Sequence, residues 1–92
     1  MSKTGKLVDL DNLLKYMVIQ NILLEASGWD EDRAKHLNEV LLYGIKTVPK
    51  EFLSNAPEES ASLILATIES LVYEEEVSAC QEALLFFFKE LK

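Results

Sequence analysis

Projected at 100° per residue, the apolar positions of the chain fall into four stripes, each followed by a break. In the first, Leu10, Leu13, Leu14, Met17 and Leu24 share one side, while Val18, Ile19, Ile22 and Leu23 spread onto the others. A helix this broadly apolar is buried on more than one face. Asp9 stands just before the pattern and predicts an N-cap. Ser27-Gly28 predicts the stop, with Gly28 in the left-handed C′ position.

Asp30 predicts the next N-cap, with Glu31 and Asp32 at the positive end of the helix dipole. Ala34, Leu37, Leu41, Ile45 and Val48 then form a clean stripe flanked by Val40. Gly44 lies beside that stripe, where it costs about 1 kcal/mol relative to Ala and predicts the close approach of a second helix. Pro49 ends the pattern, because the residue before a proline disfavours the α region.

Residues 49–56 read as a connector with Phe52 and Leu53 tucked beneath it. Asn55 and Glu58 are spaced as a capping box, and Pro57 falls in a first turn, where its missing N–H does no harm. The third stripe is Ala61, Ile64, Leu65, Ile68, Leu71 and Val72. The fourth is Val77, Cys80, Leu84, Phe87, Phe88 and Leu91. No Gly or Pro separates these two, yet the stripe jumps by roughly 130° between them, so one straight helix could not bury both against one core. A break near 74–77 is favoured, and Ser78 with Gln81 reads as a capping box after it. The alternative is one helix of about 35 residues, which would need a dimer to cover it.

The expected fold is therefore all-α: a small antiparallel bundle of four helices at about 10–26, 31–48, 57–73 and 78–91, the last two either separate or continuous. Ninety-two residues make one domain. Residues 1–8 are expected to be a flexible N-terminal segment.

Not every apolar residue is used by the stripes. Leu42 and Tyr43, Leu63 and Tyr73, and Leu85 and Phe86 project off three of the helices. A contiguous apolar patch signals a partner or a second copy, and a broader intramolecular core is the competing reading. Tyr43, Tyr73, Leu85 and Phe86 are the apolar candidates for an interface.

Composition narrows the classes. Nearly half the chain is hydrophobic, with 3 Gly and 2 Pro, which excludes a disordered chain and argues against a turn-rich all-β domain. A lone cysteine, Cys80, cannot form an internal disulfide and fits a reducing compartment. No run approaches the ~20 apolar residues of a membrane span, and Asp9, Asp11, Asn12 and Lys15 interrupt any signal-like segment. A cytoplasmic protein is expected.

The formal net charge of -7 is concentrated. Residues 1–28 and 29–50 each sum to zero. Residues 51–92 carry nine Glu against Lys89 and Lys92. Such an excess argues against binding a phosphate backbone. Glu is also a good former of solvated helix faces. Glu74, Glu75 and Glu76 stand together and are the candidate acidic contacts for a basic partner.

The residues for catalysis are scarce. His36 stands alone. Cys80 lies on an apolar stripe among Glu75, Glu76 and Glu82, which marks a core residue rather than a thiolate nucleophile. Asp30-Glu31-Asp32 fails as a calcium loop, since Lys35 and Leu41 fall where Gly and Glu are required. The isolated glycines cradle no phosphate. No catalytic residue, cofactor or metal is assigned, and no enzyme is expected. Two functions remain. One is a protein-binding module, such as a small acidic inhibitor, immunity or adaptor protein, meeting a basic surface. The other is a self-assembling structural or regulatory subunit, a homodimer.

Overall fold

The computed structural model describes residues 13–90, which fold as an all-α bundle. Five α-helices follow in order: α1 Met17–Ala26, α2 Glu31–Ile45, α3 Lys50–Asn55, α4 Pro57–Ile68 and α5 Val77–Glu90, with 3-10 turns at Leu13–Lys15, Glu69–Leu71 and Glu74–Glu76. Their core joins Leu13, Ile19, Leu23, Leu37, Leu41, Ile64, Ile68, Leu84, Phe87 and Phe88, all essentially shielded from water. The predicted N-cap Asp9, the apolar Leu10, the flexible segment 1–8 and Leu91 lie outside the described residues.

The first helix is shorter than its apolar pattern. Leu13 forms a 3-10 turn, and Tyr16 is extended before α1 begins. Two tertiary contacts account for this. The Leu13 N–H donates to the buried Asn38 Oδ1 at 2.8 Å, so it is not committed to a local helical carbonyl. The Tyr16 ring meets Phe86 and Phe87 edge-on at 6.3 and 6.2 Å. α1 ends as predicted, with Gly28 at φ +72°. Trp29 N–H reaches Leu24 O and Gly28 N–H reaches Glu25 O, which completes a Schellman motif. Trp29 also takes a left-handed φ of +65°, an uncommon state for a bulky side chain.

Asp30 caps α2 as expected, accepting from the N–H groups of Asp32 and Arg33. The helix stops at Ile45 rather than 48. Thr47 turns its hydroxyl back to the Gly44 carbonyl at 2.7 Å, and Val48 precedes the proline. Gly44 does face a second helix: a Cβ there would sit 2.6 Å from Ile64 Cγ2 and 3.1 Å from Ile68 Cγ2. The glycine is what lets α2 and α4 pack at this separation.

The expected connector is itself a helix, α3. Leu53 is buried as anticipated, but Phe52 stays partly exposed. The Asn55–Glu58 capping box does not form, because Asn55 closes α3 and Ala56 is the N-cap of α4, with no side-chain cap. Buried Ser60 instead donates its hydroxyl to Phe52 O at 3.0 Å and ties the two helices together.

α4 and α5 are separate, which settles the alternative of one continuous helix. The break is wider than predicted: α4 ends at Ile68 rather than 73, and Val72 and Tyr73 are extended between the two 3-10 turns. The cap is formed not by Ser78 and Gln81 but by Tyr73 and Glu76. Tyr73 N–H donates to Glu76 Oε1, and Glu76 N–H donates to Tyr73 O, each at 2.8 Å.

Candidate functional site

The densest polar constellation sits where this break meets the start of α2. Arg33 lies in the first turn of α2, a position where a cation opposes the helix dipole. Its guanidinium grips Glu76 with both arms, Nε to Oε2 at 2.8 Å and a terminal nitrogen to Oε1 at 2.7 Å. The Tyr73 ring lies against the same guanidinium, 4.2 Å from its carbon, within cation–π range. Glu76 is 1% exposed and Arg33 21% exposed.

These contacts shift the charges. The Arg33 hydrogen bonds hold the Glu76 carboxyl below its ordinary value against the opposing effect of burial. The Arg33 guanidinium is raised in turn, chiefly by its hydrogen bond to Glu76. Nearby Cys80 is fully buried, and desolvation pushes its thiol up to about 11. That is the direction opposite to a reactive cysteine. A ring nitrogen of His36 stands 3.4 Å from the Leu71 carbonyl oxygen. The geometry is that of a clasp pinning the non-helical segment 69–76 onto α2. Among the described residues, no group of three or more His, Cys, Asp or Glu side chains is placed to hold a metal ion.

Compared with known protein families, curated proteins and solved structures, the chain shows no significant match to any of them.

The seven residues singled out from the sequence have unlike environments. Glu74 and Glu75 are exposed, whereas Glu76 is buried in the clasp. The expectation of an exposed run of three carboxylates is corrected on that point, because the Arg33 pairing draws Glu76 inside. Leu85 and Phe86 are only partly exposed and pack against the core, so α5 uses much of the apolar surface that looked left over. Leu42 on α2 is buried in the core as well. Tyr43, at 58% exposure, and Tyr73 remain open to solvent, as does Leu63.

Other exposed large hydrophobics are Met17, Val18, Trp29 and Leu71. Glu75 lines a shallow concavity between α1 and α5 together with Glu25 and Glu82. Sequence reasoning missed Arg33 and Asn38. The signal for Arg33 was present: a lone cation among Asp30, Glu31 and Asp32 at a helix N-terminus calls for a partner elsewhere. Asn38 gave none, since it lies only beside the apolar stripe.

Proposed function

We propose that this chain is a non-enzymatic protein–protein interaction module, a small acidic inhibitor, immunity or adaptor protein that works in the cytoplasm and meets a basic surface on another protein. The observation that carries this reading is the exposure of large apolar side chains on a strongly acidic molecule. Met17 is 74% exposed, Trp29 63% and Tyr43 58%, while residues 51–92 carry nine Glu against two Lys. Exposed aromatic anchors supply contact energy, and complementary charge speeds encounter and selects partners. The inward-facing Cys80 thiol and the isolated His36 agree with a role that involves no catalysis. Among the described residues, no helix is long and apolar enough to cross a membrane.

A homodimeric structural or regulatory subunit is the second reading. It is favoured by the exposure of Tyr43, Leu63 and Tyr73, which a symmetric contact could cover.

Light scattering of the pure protein, followed by partner capture at two salt concentrations, separates these readings. A protein-binding module is monomeric alone, binds a hydrophobic dye, and loses a basic partner's association rate steeply with salt. A dimer indifferent to salt favours self-assembly. A monomer of about 10 kDa that binds neither dye nor partner sinks both.

A further inference from the structure

The close approach of α2 and α4 at Gly44 leaves a two-helix face whose outer side can be traced. At one end the His36 ring meets the Leu71 carbonyl. At the other, Thr47 just past the end of α2 and Leu63 and Thr67 of α4 line one groove of about 460 Å³, closed off by Val48, Pro49 and Phe52. The two helices therefore run antiparallel along it. Tyr43 stands on α2 one turn before Thr47. From His36 to Thr47 the face is about 16 Å long, roughly three helical turns.

The groove is apolar in its chemistry as well as its lining. The Thr47 hydroxyl donates back to the Gly44 carbonyl at the end of α2, and the Thr67 hydroxyl to the Leu63 carbonyl within α4, so neither offers an unspent proton. Its rim is acidic. Leu63 also borders an adjoining concavity with Glu58, Glu59 and Ser62, and Glu51 is exposed on α3. No Lys or Arg occurs from residue 51 to residue 88. Lys35 falls about 120° around α2 from Thr47, while the exposed Lys46, just past the end of α2, lies about 60° from Tyr43 and is the cation beside this face.

We propose that this groove docks an amphipathic helix of another protein, with apolar residues over Leu63, Phe52 and Tyr43 and Lys or Arg on its flank beside Glu58 and Glu59. The inference rests on the interaction reading above and names its surface. The apolar floor calls for an apolar helix face. The carboxylates on the α4 side, Glu58 and Glu59 beside Leu63, select a basic flank there. The rim also disfavours a second copy of this chain, because a two-fold contact places the same patch on both partners. A two-fold contact centred on Leu63 would bring Glu58 and Glu59 close to their own copies.

The test uses the full chain and a fluorescein-labelled peptide of about 18 residues, with Leu at helical spacing and Lys elsewhere. Fluorescence anisotropy is read at low and moderate salt. A scrambled peptide of the same composition is the first control. A same-pattern Leu/Glu peptide is the second.

The patterned Leu/Lys peptide is expected to bind best. Leu63→Ser or Tyr43→Ser should weaken it about tenfold or more. Glu58→Gln with Glu59→Gln should weaken it and flatten its salt dependence. Glu25→Gln with Glu82→Gln, on the α1–α5 side, should change it less than about twofold. All these positions are exposed, and circular dichroism checks that each variant is folded.

The proposal is overturned if the patterned peptide fails to bind, or if the scrambled or Leu/Glu peptide binds as well. It is also overturned if the Glu25/Glu82 pair matters as much as the groove residues. In that last case the interaction reading stands and only the surface is wrong. A dimer that Leu63→Ser converts to monomer makes a second copy the occupant and likewise overturns it.

Discussion

Glu76 and Arg33 illustrate how a charged pair can be drawn into a small core. Removing water from two ions is unfavourable by several kcal/mol each, and their attraction offsets this only with good geometry and added hydrogen bonds. The two-armed grip and the Tyr73 N–H supply both. Breaking the pair from one side should be severe. Glu76→Gln or Arg33→Met alone is expected to lower unfolding free energy by about 3–5 kcal/mol in urea titrations. Arg33→Met with Glu76→Leu should recover most of the loss, because no charge is then stranded; a double variant as weak as the singles would contradict the clasp.

The same pair fixes a pH response. The Glu76 carboxyl is held below its ordinary 4.5, so its stabilisation is present above that value and is lost as pH falls through the folded one. Glu76→Gln should flatten the acid limb of the stability curve. Cys80 acts at the other extreme. Its thiol titrates near 11 rather than 9, so stability should decline as pH rises across that interval. Alkylation of the native protein at pH 8 should be far slower than of the urea-unfolded chain.

At the level of elements, caps and contacts make separable contributions. Asp30→Ala removes the two hydrogen bonds that start α2, and thermal unfolding should register a loss of about 1 kcal/mol. Gly44→Ala sets propensity against space. Alanine favours a helix by about 1 kcal/mol, but its Cβ would lie 2.6 Å from an Ile64 methyl carbon. Overpacking costs about 1–3 kcal/mol, so net destabilisation is expected. Gly44→Ala with Ile64→Val should be milder than Gly44→Ala alone.

These features were legible in the sequence because each is local. Asp30 precedes its own helix, Gly28 its own turn, and the stripe jump between Ile68 and Val77 is a property of helical geometry. What escaped notice depends on partners far along the chain. The late start of the first helix is dictated by Asn38, 25 residues away. The cap on α5 comes from Glu76, held in place by Arg33 across 43 residues. α3 escaped because its six residues form barely one and a half turns, too short for periodicity to register. For the candidate interface, sequence pattern identified Tyr43 and Leu63 as surplus. It misjudged Leu42, Leu85 and Phe86, whose packing depends on how much of each helix the others cover.

Over the whole molecule, the path of the chain between α4 and α5 depends on contacts rather than on local preference. Nothing from Glu58 to Glu90 is a glycine or a proline, so apart from the jump in its apolar stripe no backbone restriction forces this stretch out of the helix. Val72 and Tyr73 are nevertheless extended, and Tyr73 and Glu76 are fastened to Arg33. When that fastening is cut, helix propensity should reclaim the segment. α4 and α5 would then merge into a rod of about 34 residues, roughly 50 Å long. Such a rod could not fold back on its own core. It would hand α5 to a neighbouring molecule and receive that neighbour's α5 in exchange, a domain swap. Glu76→Ala at high concentration should therefore show a dimer peak in size-exclusion chromatography together with increased helical circular dichroism. Dilution should return it only slowly to monomer, since each return requires α5 to leave its host. One buried carboxylate would thus decide whether the molecule closes upon itself or upon its twin.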